Sequence, residues 1–157
     1  MKKITLGLFS TALLVGSLSA SAQPVKSEKH AKKATELRQA VFQLVYSNMG
    51  PMGAMAKGKI PLDKARVEKN AMRINQLSYM ISDYFKPDTR NFKVKTEALD
   101  NIWTDTALFD EKINALTVAS ANLQKVASSS DDEKAIKKAI GAVGKACGSC
   151  HDDFKKD

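Results

Sequence analysis

The sequence has 157 residues, of which 25 are Lys or Arg and 17 are Asp or Glu, so its formal net charge is +8. The basic residues are scattered, and no basic run interleaves with aromatic side chains, which argues against a nucleic-acid-binding protein. The positive charge instead favours encounters with acidic partners. A chain of this length supports one domain with its own core.

The N-terminal segment, 1–22, has the features of a secretory signal peptide. Two lysines precede an uncharged apolar stretch, 4–18, and the small residues 20–22 form a cleavage site. The apolar stretch is short for a membrane anchor, which needs about 20 residues. We therefore expect a cleaved signal peptide, export to the periplasm and a mature domain, 23–157, that no longer contacts the membrane.

The mature domain is expected to be helical, because its apolar residues recur at intervals of three and four and no strand or hairpin pattern is present. The first helix, about 30–56, contains Pro51, which removes a backbone hydrogen bond, so a kink or a break is expected there. The second helix begins after Asp63, a suitable N-cap, and ends before Pro87.

A long polar connection, 83–104, follows the second helix, and such connections within a compact domain are often functional. The third helix ends at the serine triplet 128–130, and Ser130 with Glu133 fits a capping box for the fourth. The inner face of the fourth helix carries Ile136, Ile140, Val143, Cys147, His151 and Phe154. Four amphipathic helices with mostly short links predict an all-α antiparallel four-helix bundle.

Residues 147–151 read Cys-Gly-Ser-Cys-His, which is the C-x-x-C-H attachment signature of c-type haem. Each thiol of such a motif adds to one haem vinyl group, and the histidine after the second cysteine becomes an axial ligand of the iron. We therefore predict one covalently attached haem c per chain. Cys147 and Cys150 would form the thioether bonds, and His151 would bind the iron.

Two alternatives without haem remain open at this point. In an exported protein the two cysteines could form a redox dithiol or a disulfide, although a redox C-x-x-C usually occurs beside a βαβ pattern. They could also join His151 in a metal site, but zinc sites use three or four protein ligands. No other set of catalytic residues is recognisable, so we do not expect an enzyme.

The motif lies near the C-terminus, on the last of four helices, and in this the sequence resembles cytochrome c′ (class II cytochrome c). The resemblance covers nearly all of the mature domain. Its shorter matches are Leu37-Arg38-Gln39 with Phe42, Met49-Gly50-x-Met52-Gly53, Lys57-Gly58, Ile102-Trp103 and Phe154-Lys155. It implies a left-handed antiparallel bundle, usually a homodimer, that transfers electrons to periplasmic redox proteins or binds small gases such as nitric oxide and carbon monoxide.

The resemblance also implies contacts between individual residues and the haem. Arg38 and Gln39 are expected near the haem propionates, and a guanidinium suits this role because it pairs bidentately with a carboxylate. The chain around Glu97 is expected to contact the haem edge. Lys155, one turn after His151, either approaches the axial imidazole or is a solvated cation at the helix end.

The sixth coordination position of the iron is the last expectation from the resemblance. The low-spin branch of the family has a methionine four residues after the arginine, and here that position is Phe42, whose ring has no lone pair to donate. The resemblance therefore implies a five-coordinate, high-spin iron with an apolar distal face. The alternative is that Met49 or Met52 binds the iron.

Overall fold

The computed structural model describes residues 23–156, and the expected signal peptide, 1–22, lies outside them. Within this range the chain forms four long helices, which confirms the predicted all-α four-helix fold. They are α1 (Glu28–Ala56), α2 (Lys64–Phe85), α3 (Thr106–Ser129) and α4 (Glu133–Phe154). None of the described helices is both long enough and apolar enough to cross a membrane.

Three shorter elements were not predicted. A 3-10 helix, Asp100–Trp103, precedes α3, and two strands of two residues each, β1 (Gln23–Pro24) and β2 (Pro87–Asp88), pair in parallel. Strands of two residues are too short to produce an alternating pattern, so nothing in the sequence marks them.

Neighbouring helices run in opposite directions, as their contacts show. The pairs are Asn48–Asn70 and Arg38–Tyr84 between α1 and α2, and Ser78–Thr117 and Ser82–Asp110 between α2 and α3. A short link joins the end of α3 to the start of α4, while Phe109 near the start of α3 contacts Phe154 at the end of α4. It follows that α1 and α4 are also antiparallel. The left-handed sense of the bundle stays a prediction.

The helix starts depend on aspartate caps. Asp63 caps α2 as predicted, because its carboxylate accepts a hydrogen bond at 3.0 Å from a backbone N–H of the first turn. The predicted capping box of Ser130 and Glu133 is wrong: Asp132 caps α4 and accepts from the Lys134 N–H at 2.8 Å. Ser130 instead ends α3 in an extended conformation, so α4 begins after Asp132.

Helix α1 continues through Pro51, so the predicted break is wrong. The proline removes one hydrogen bond, to the carbonyl of Ser47, and Ser47 is exposed, so water can satisfy that carbonyl. Buried side chains continue along one face on both sides of the proline. They are Val45, Asn48, Met52 and Met55. Packing of this face offsets the cost of an internal proline, about 3 kcal/mol.

The connection between α2 and α3, residues 86–105, is attached to the end of α4. The Leu99 N–H donates to the Phe154 carbonyl at 3.0 Å, and the Lys156 N–H donates to the Glu97 carbonyl at 2.8 Å. The Asn101 amide also donates to a carbonyl of the last turn of α4, at 2.9 Å. This α2–α3 connection therefore lies beside the helix end that carries the predicted haem motif.

The core is closed in one half of the bundle and more open in the other. Fully buried side chains in the closed half include Met52, Val67, Leu123, Ile136, Ile140 and Val143. Towards the motif the packing is looser, because Met49, Ala146, Cys147 and Cys150 are only partly buried. These partly buried residues belong to α1 and α4.

Candidate haem-binding site

The residues of the predicted motif lie along one side of the last two turns of α4. Cys147, Cys150, His151 and Phe154 share this side because spacings of three, four and seven residues recur on one helical face. Phe154 is buried, both cysteines are half-buried and His151 is exposed. The thiols and the imidazole thus lie at the boundary between core and solvent, where one planar group can reach all three.

The pKa values of the two thiols bear on the alternative that Cys147 and Cys150 form a redox dithiol. Both cysteines are free, and burial raises the pKa of the Cys147 thiol and raises that of Cys150 to about 11. Reactive redox dithiols have a lowered thiol pKa instead. Within residues 23–156, no group of three or more His, Cys, Asp or Glu is placed to hold a metal ion. The raised pKa values of Cys147 and Cys150 are unlike those of a reactive redox dithiol.

Met49 shows how α1 and α4 are aligned. A methyl group added at Gly144 would lie 3.6 Å from the Met49 Cε, so this side chain packs on α4 at that glycine. Because the helices are antiparallel, seven residues back along α1 to Phe42 correspond to seven residues forward along α4 to His151. Both steps measure about 10 Å at 1.5 Å per residue. Phe42 therefore lies at about the level of His151.

One phenylalanine from each helix forms a continuous aromatic row. Its members are Phe42, Phe85, Phe109 and Phe154. Successive ring centroids are 6.3, 5.0 and 5.2 Å apart, all in edge-to-face arrangements, which contribute about 0.5–1.5 kcal/mol per pair. Because Phe154 follows His151 by three residues, the row independently places Phe42 within one turn of the level of His151.

Arg38 is buried and holds the α2–α3 connection. Its Nε donates to the Tyr84 carbonyl at 2.9 Å, and its two terminal nitrogens donate to the Thr89 hydroxyl at 3.0 Å and to the Pro87 carbonyl. The cation also lies 5.0 Å from the centroid of the Trp103 ring. Burial lowers the pKa of Arg38 to about 10, so the guanidinium stays charged at neutral pH.

The other residues predicted to contact the haem lie on the same side of the bundle. The Gln39 amide donates to the Lys95 carbonyl at 3.3 Å, so it contacts the α2–α3 connection from α1. Glu97 forms an ion pair of 3.0 Å with Lys155, four residues after His151. Both charged side chains are exposed. Of the two roles open to Lys155, the structure favours the surface cation.

Sequence reasoning missed Lys112, which contacts the motif from α3. Its Nζ lies 2.7 Å from the Ser149 hydroxyl and 2.7 Å from a carboxylate oxygen of Asp153. Asp153 raises the pKa of Lys112 by hydrogen bonding to the ammonium. Ser149 is 37 positions away in the chain, so no local spacing could have identified this contact.

Comparison with known proteins places the chain in a family. Residues 33–155 match the family model described as cytochrome C′. Cytochrome c′ of Cereibacter sphaeroides is 36% identical over 157 residues, which cover 99% of this chain and 98% of that protein. The structure of cytochrome c prime from Shewanella frigidimarina is 42% identical, with a TM-score of 0.74 over 81% of this chain and 97% of that one.

A second similar structure is the nitric oxide complex of a cytochrome c prime variant from Alcaligenes xylosoxidans. It is 30% identical, with a TM-score of 0.71 over 81% of this chain and 96% of that one. The comparisons confirm the predicted family, and with it the covalently attached haem c that was predicted as cofactor. The chain belongs to the cytochrome c′ family.

Proposed function

We propose that this protein is an exported, periplasmic monohaem cytochrome with a five-coordinate, high-spin iron that exchanges electrons with periplasmic redox proteins and binds small gases. The position of Phe42 at the level of His151 is the observation that carries the proposal. Removal of residues 1–22, which contain two lysines and no acidic residue, lowers the formal charge from +8 to +6. The mature protein therefore suits an acidic redox partner.

Cys147 and Cys150 are assigned to the thioether bonds and His151 to the axial position. The two thiols lie one turn apart on a half-buried face, and the imidazole follows on the same face. The attached haem supplies an iron that cycles between its ferric and ferrous states. The chain supplies the fixed turn of α4, the adjacent core and the α2–α3 connection that covers the helix end.

Phe42 is assigned to the distal side of the iron. A second axial ligand has to approach opposite His151 and at its level, and Phe42 occupies that level without a donor atom. Met49 packs at Gly144, about 10 Å away along the bundle. Met52 is completely buried in the closed half and lies about 15 Å from that level. These distances support Phe42 over either methionine as the residue nearest the iron.

Arg38, Gln39 and Glu97 are assigned to the haem edge. Arg38 uses three of its five N–H groups on the end of α2 and the start of the α2–α3 connection, which leaves two for a propionate. Gln39 and Glu97 lie where α1 and α4 meet this connection, because Gln39 contacts Lys95 and Glu97 pairs with Lys155.

The distal side chain also determines which gases are favoured. Dioxygen is held best where a distal group donates a hydrogen bond to it, and a hydrogen bond to a charged group contributes about 1.5–3 kcal/mol. Phe42 offers no donor, whereas nitric oxide and carbon monoxide depend far less on one. The nitric oxide complex of the Alcaligenes xylosoxidans relative supports binding of this gas.

A homodimer is proposed through the outer face of α1 and α2. An open groove of about 900 Å³ lies between these helices, and its lining combines Leu44, Leu77 and Met80 with polar and basic residues that include Arg66, Lys69 and Arg73. Leu44 is 54% exposed and Met80 is 41% exposed. Leu37, also exposed, lies two turns before Leu44 on the same face of α1. A second copy of the chain would remove these apolar side chains from water.

Replacing both cysteines by alanine tests haem attachment. Cys147→Ala/Cys150→Ala should abolish covalent haem, because no other thiol exists in the chain, whereas Ser149→Ala should retain it. Mass spectrometry of the wild type from the periplasm should give the mass of residues 23–157 plus one haem. Haem that stays attached to the double variant under denaturing conditions would refute the assignment, and a mass that includes 1–22 would refute cleavage.

Adding a sulfur ligand at position 42 tests the coordination. Phe42→Met should convert a high-spin ferric spectrum into a six-coordinate low-spin one, because its thioether would lie opposite His151. Leu44→Met adds a methionine to another face of α1 and should leave the spectrum unchanged. Optical and electron paramagnetic resonance spectra measure the spin state. A low-spin wild type would contradict the proposal and point to Met49 or Met52.

Removing the ring at position 42 tests its role as a barrier. Phe42→Ala should speed carbon monoxide association with the ferrous protein roughly two- to tenfold, the factor that corresponds to loss of one aromatic contact. Flash photolysis measures the rate, and Tyr46→Ala, at an exposed site one turn along α1, is the control. Equal rates in wild type and Phe42→Ala would show that the ring does not cover the iron.

A charge in the α1–α2 groove tests the dimer. Leu44→Glu should raise the dimer dissociation constant at least about tenfold, since burial of one leucine contributes about 1.5–3 kcal/mol. Val118→Glu makes the same change at an exposed apolar position on α3 and should have no effect. Sedimentation velocity measures both. A monomeric wild type, or equal weakening by both variants, would refute this interface.

A further inference from the structure

We propose that Lys112 is a positioning residue that fixes the haem-attachment turn of α4 and that its positive charge favours the reduced haem. This inference rests on the attachment to Cys147, Cys150 and His151 proposed above. Nothing in the motif itself predicts a role for a lysine on α3. The inference therefore depends on the contacts of Lys112 in the folded bundle.

Lys112 binds α4 on both sides of Cys150 and His151. Its Nζ donates at 2.7 Å to the hydroxyl of Ser149, which lies between the two cysteines. It also forms an ion pair of 2.7 Å with Asp153, two residues after His151. The two contacts are four residues apart and so span one turn of helix. This turn cannot unwind or rotate unless both contacts to α3 break.

The contacts of Lys112 add to those of Leu99 and Asn101, which already bind carbonyl groups at the end of α4. The helix ends at Phe154, and the last carbonyl groups of a helix lack partners within it and carry partial negative charge. His151 is the only basic residue in the last turn of α4. Lys112 brings a cation to this helix end from another helix, which stabilises the part of α4 that has to hold the iron ligand.

The charge of Lys112 should also affect the redox equilibrium. When an electron passes from a partner protein to the haem, the net charge at the site falls by one, and a nearby cation stabilises that state. The Lys112 side chain is 19% exposed, so solvent and salt screen its field less than that of a surface lysine. Asp153, which pairs with it, acts in the opposite direction.

Reduction potentials measured by spectroelectrochemical titration test the electrostatic part. Lys112→Met should lower the equilibrium constant for haem reduction roughly two- to fivefold, the size of one charge interaction near a surface, and Asp153→Asn should raise it by a similar factor. Lys125→Met removes the same charge from an exposed position about 20 Å along α3 and should have no effect. A general disturbance of the structure would not shift the reduction potentials of Lys112→Met and Asp153→Asn in opposite directions.

Hydrogen exchange tests the positioning part. Ser149→Ala removes one contact without changing the charge, so exchange of the backbone amides of residues 147–151 should become faster while the potential stays the same. Haem content per chain, from the pyridine haemochrome spectrum, is measured for every variant. If Lys112→Met takes up too little haem for titration, Lys112→Arg and Asp153→Asn provide the test, and Lys112→Arg should keep the wild-type potential.

The outcomes separate this inference from the proposed function. Full haem content with unchanged potentials in Lys112→Met and Asp153→Asn would overturn the role of the charge, and unchanged exchange in Ser149→Ala would overturn the positioning role. Either result would leave the attachment to Cys147 and Cys150 intact. Haem retained by the double cysteine variant would overturn the attachment itself.

Discussion

The packing of Met49 against Gly144 sets the alignment of α1 with α4, and the nature of the proposed iron site depends on that alignment. A shift of one helical turn would move another side chain of α1 to the level of His151. A methyl group added at Gly144 would lie 3.6 Å from the Met49 Cε, which is an ordinary contact distance, so the Met49 side chain lies directly against this position of α4. The proposal of Phe42 as the distal residue thus depends on a contact about 10 Å away from it.

The aromatic row and Arg38 also hold α1 in place, through contacts with α2. The row joins all four helices, and the Arg38 guanidinium binds α1 to the end of α2 and the start of the α2–α3 connection. A buried cation is costly unless hydrogen bonds surround it, and Arg38 obtains three from this segment. The connection can therefore keep its position although most of it lacks regular structure.

Much of the fold could be predicted because its signals are local. The apolar periodicity identified four helices, and Asp63 was recognisable as a cap. The spacing along α4 predicted the buried positions from Ile136 to Val143 and Phe154, whereas His151, expected on the same inner face, is exposed. The break, one of the two outcomes expected at Pro51, is wrong because packing of the buried face overrides the local rule. The capping box of Ser130 is wrong because a residue that fits such a box also suits the end of α3.

The contacts that surround the site could not be predicted, since they join distant parts of the chain. The partners of Arg38 lie 46 to 51 positions away, and Lys112 and Ser149 are 37 positions apart. Family resemblance predicted that Arg38 lies near the haem but not that its N–H groups bind the end of α2 and the start of the α2–α3 connection. Lys112 belongs to an unremarkable polar stretch of α3, and only the packing of α3 on α4 shows its contacts.

Because the Phe42 ring is loosely packed, the proposed gas binding and the proposed electron exchange are compatible at one site. Phe42 is 37% exposed, and its contact with Phe85, at 6.3 Å, is longer than the other contacts of the row. Moving the ring aside breaks one edge contact, worth about 1 kcal/mol, and leaves the buried core intact. In this proposal the ring lowers the rate of gas association by only a small factor, whereas electron exchange needs no movement of the ring. One site can therefore serve both activities without a larger conformational change.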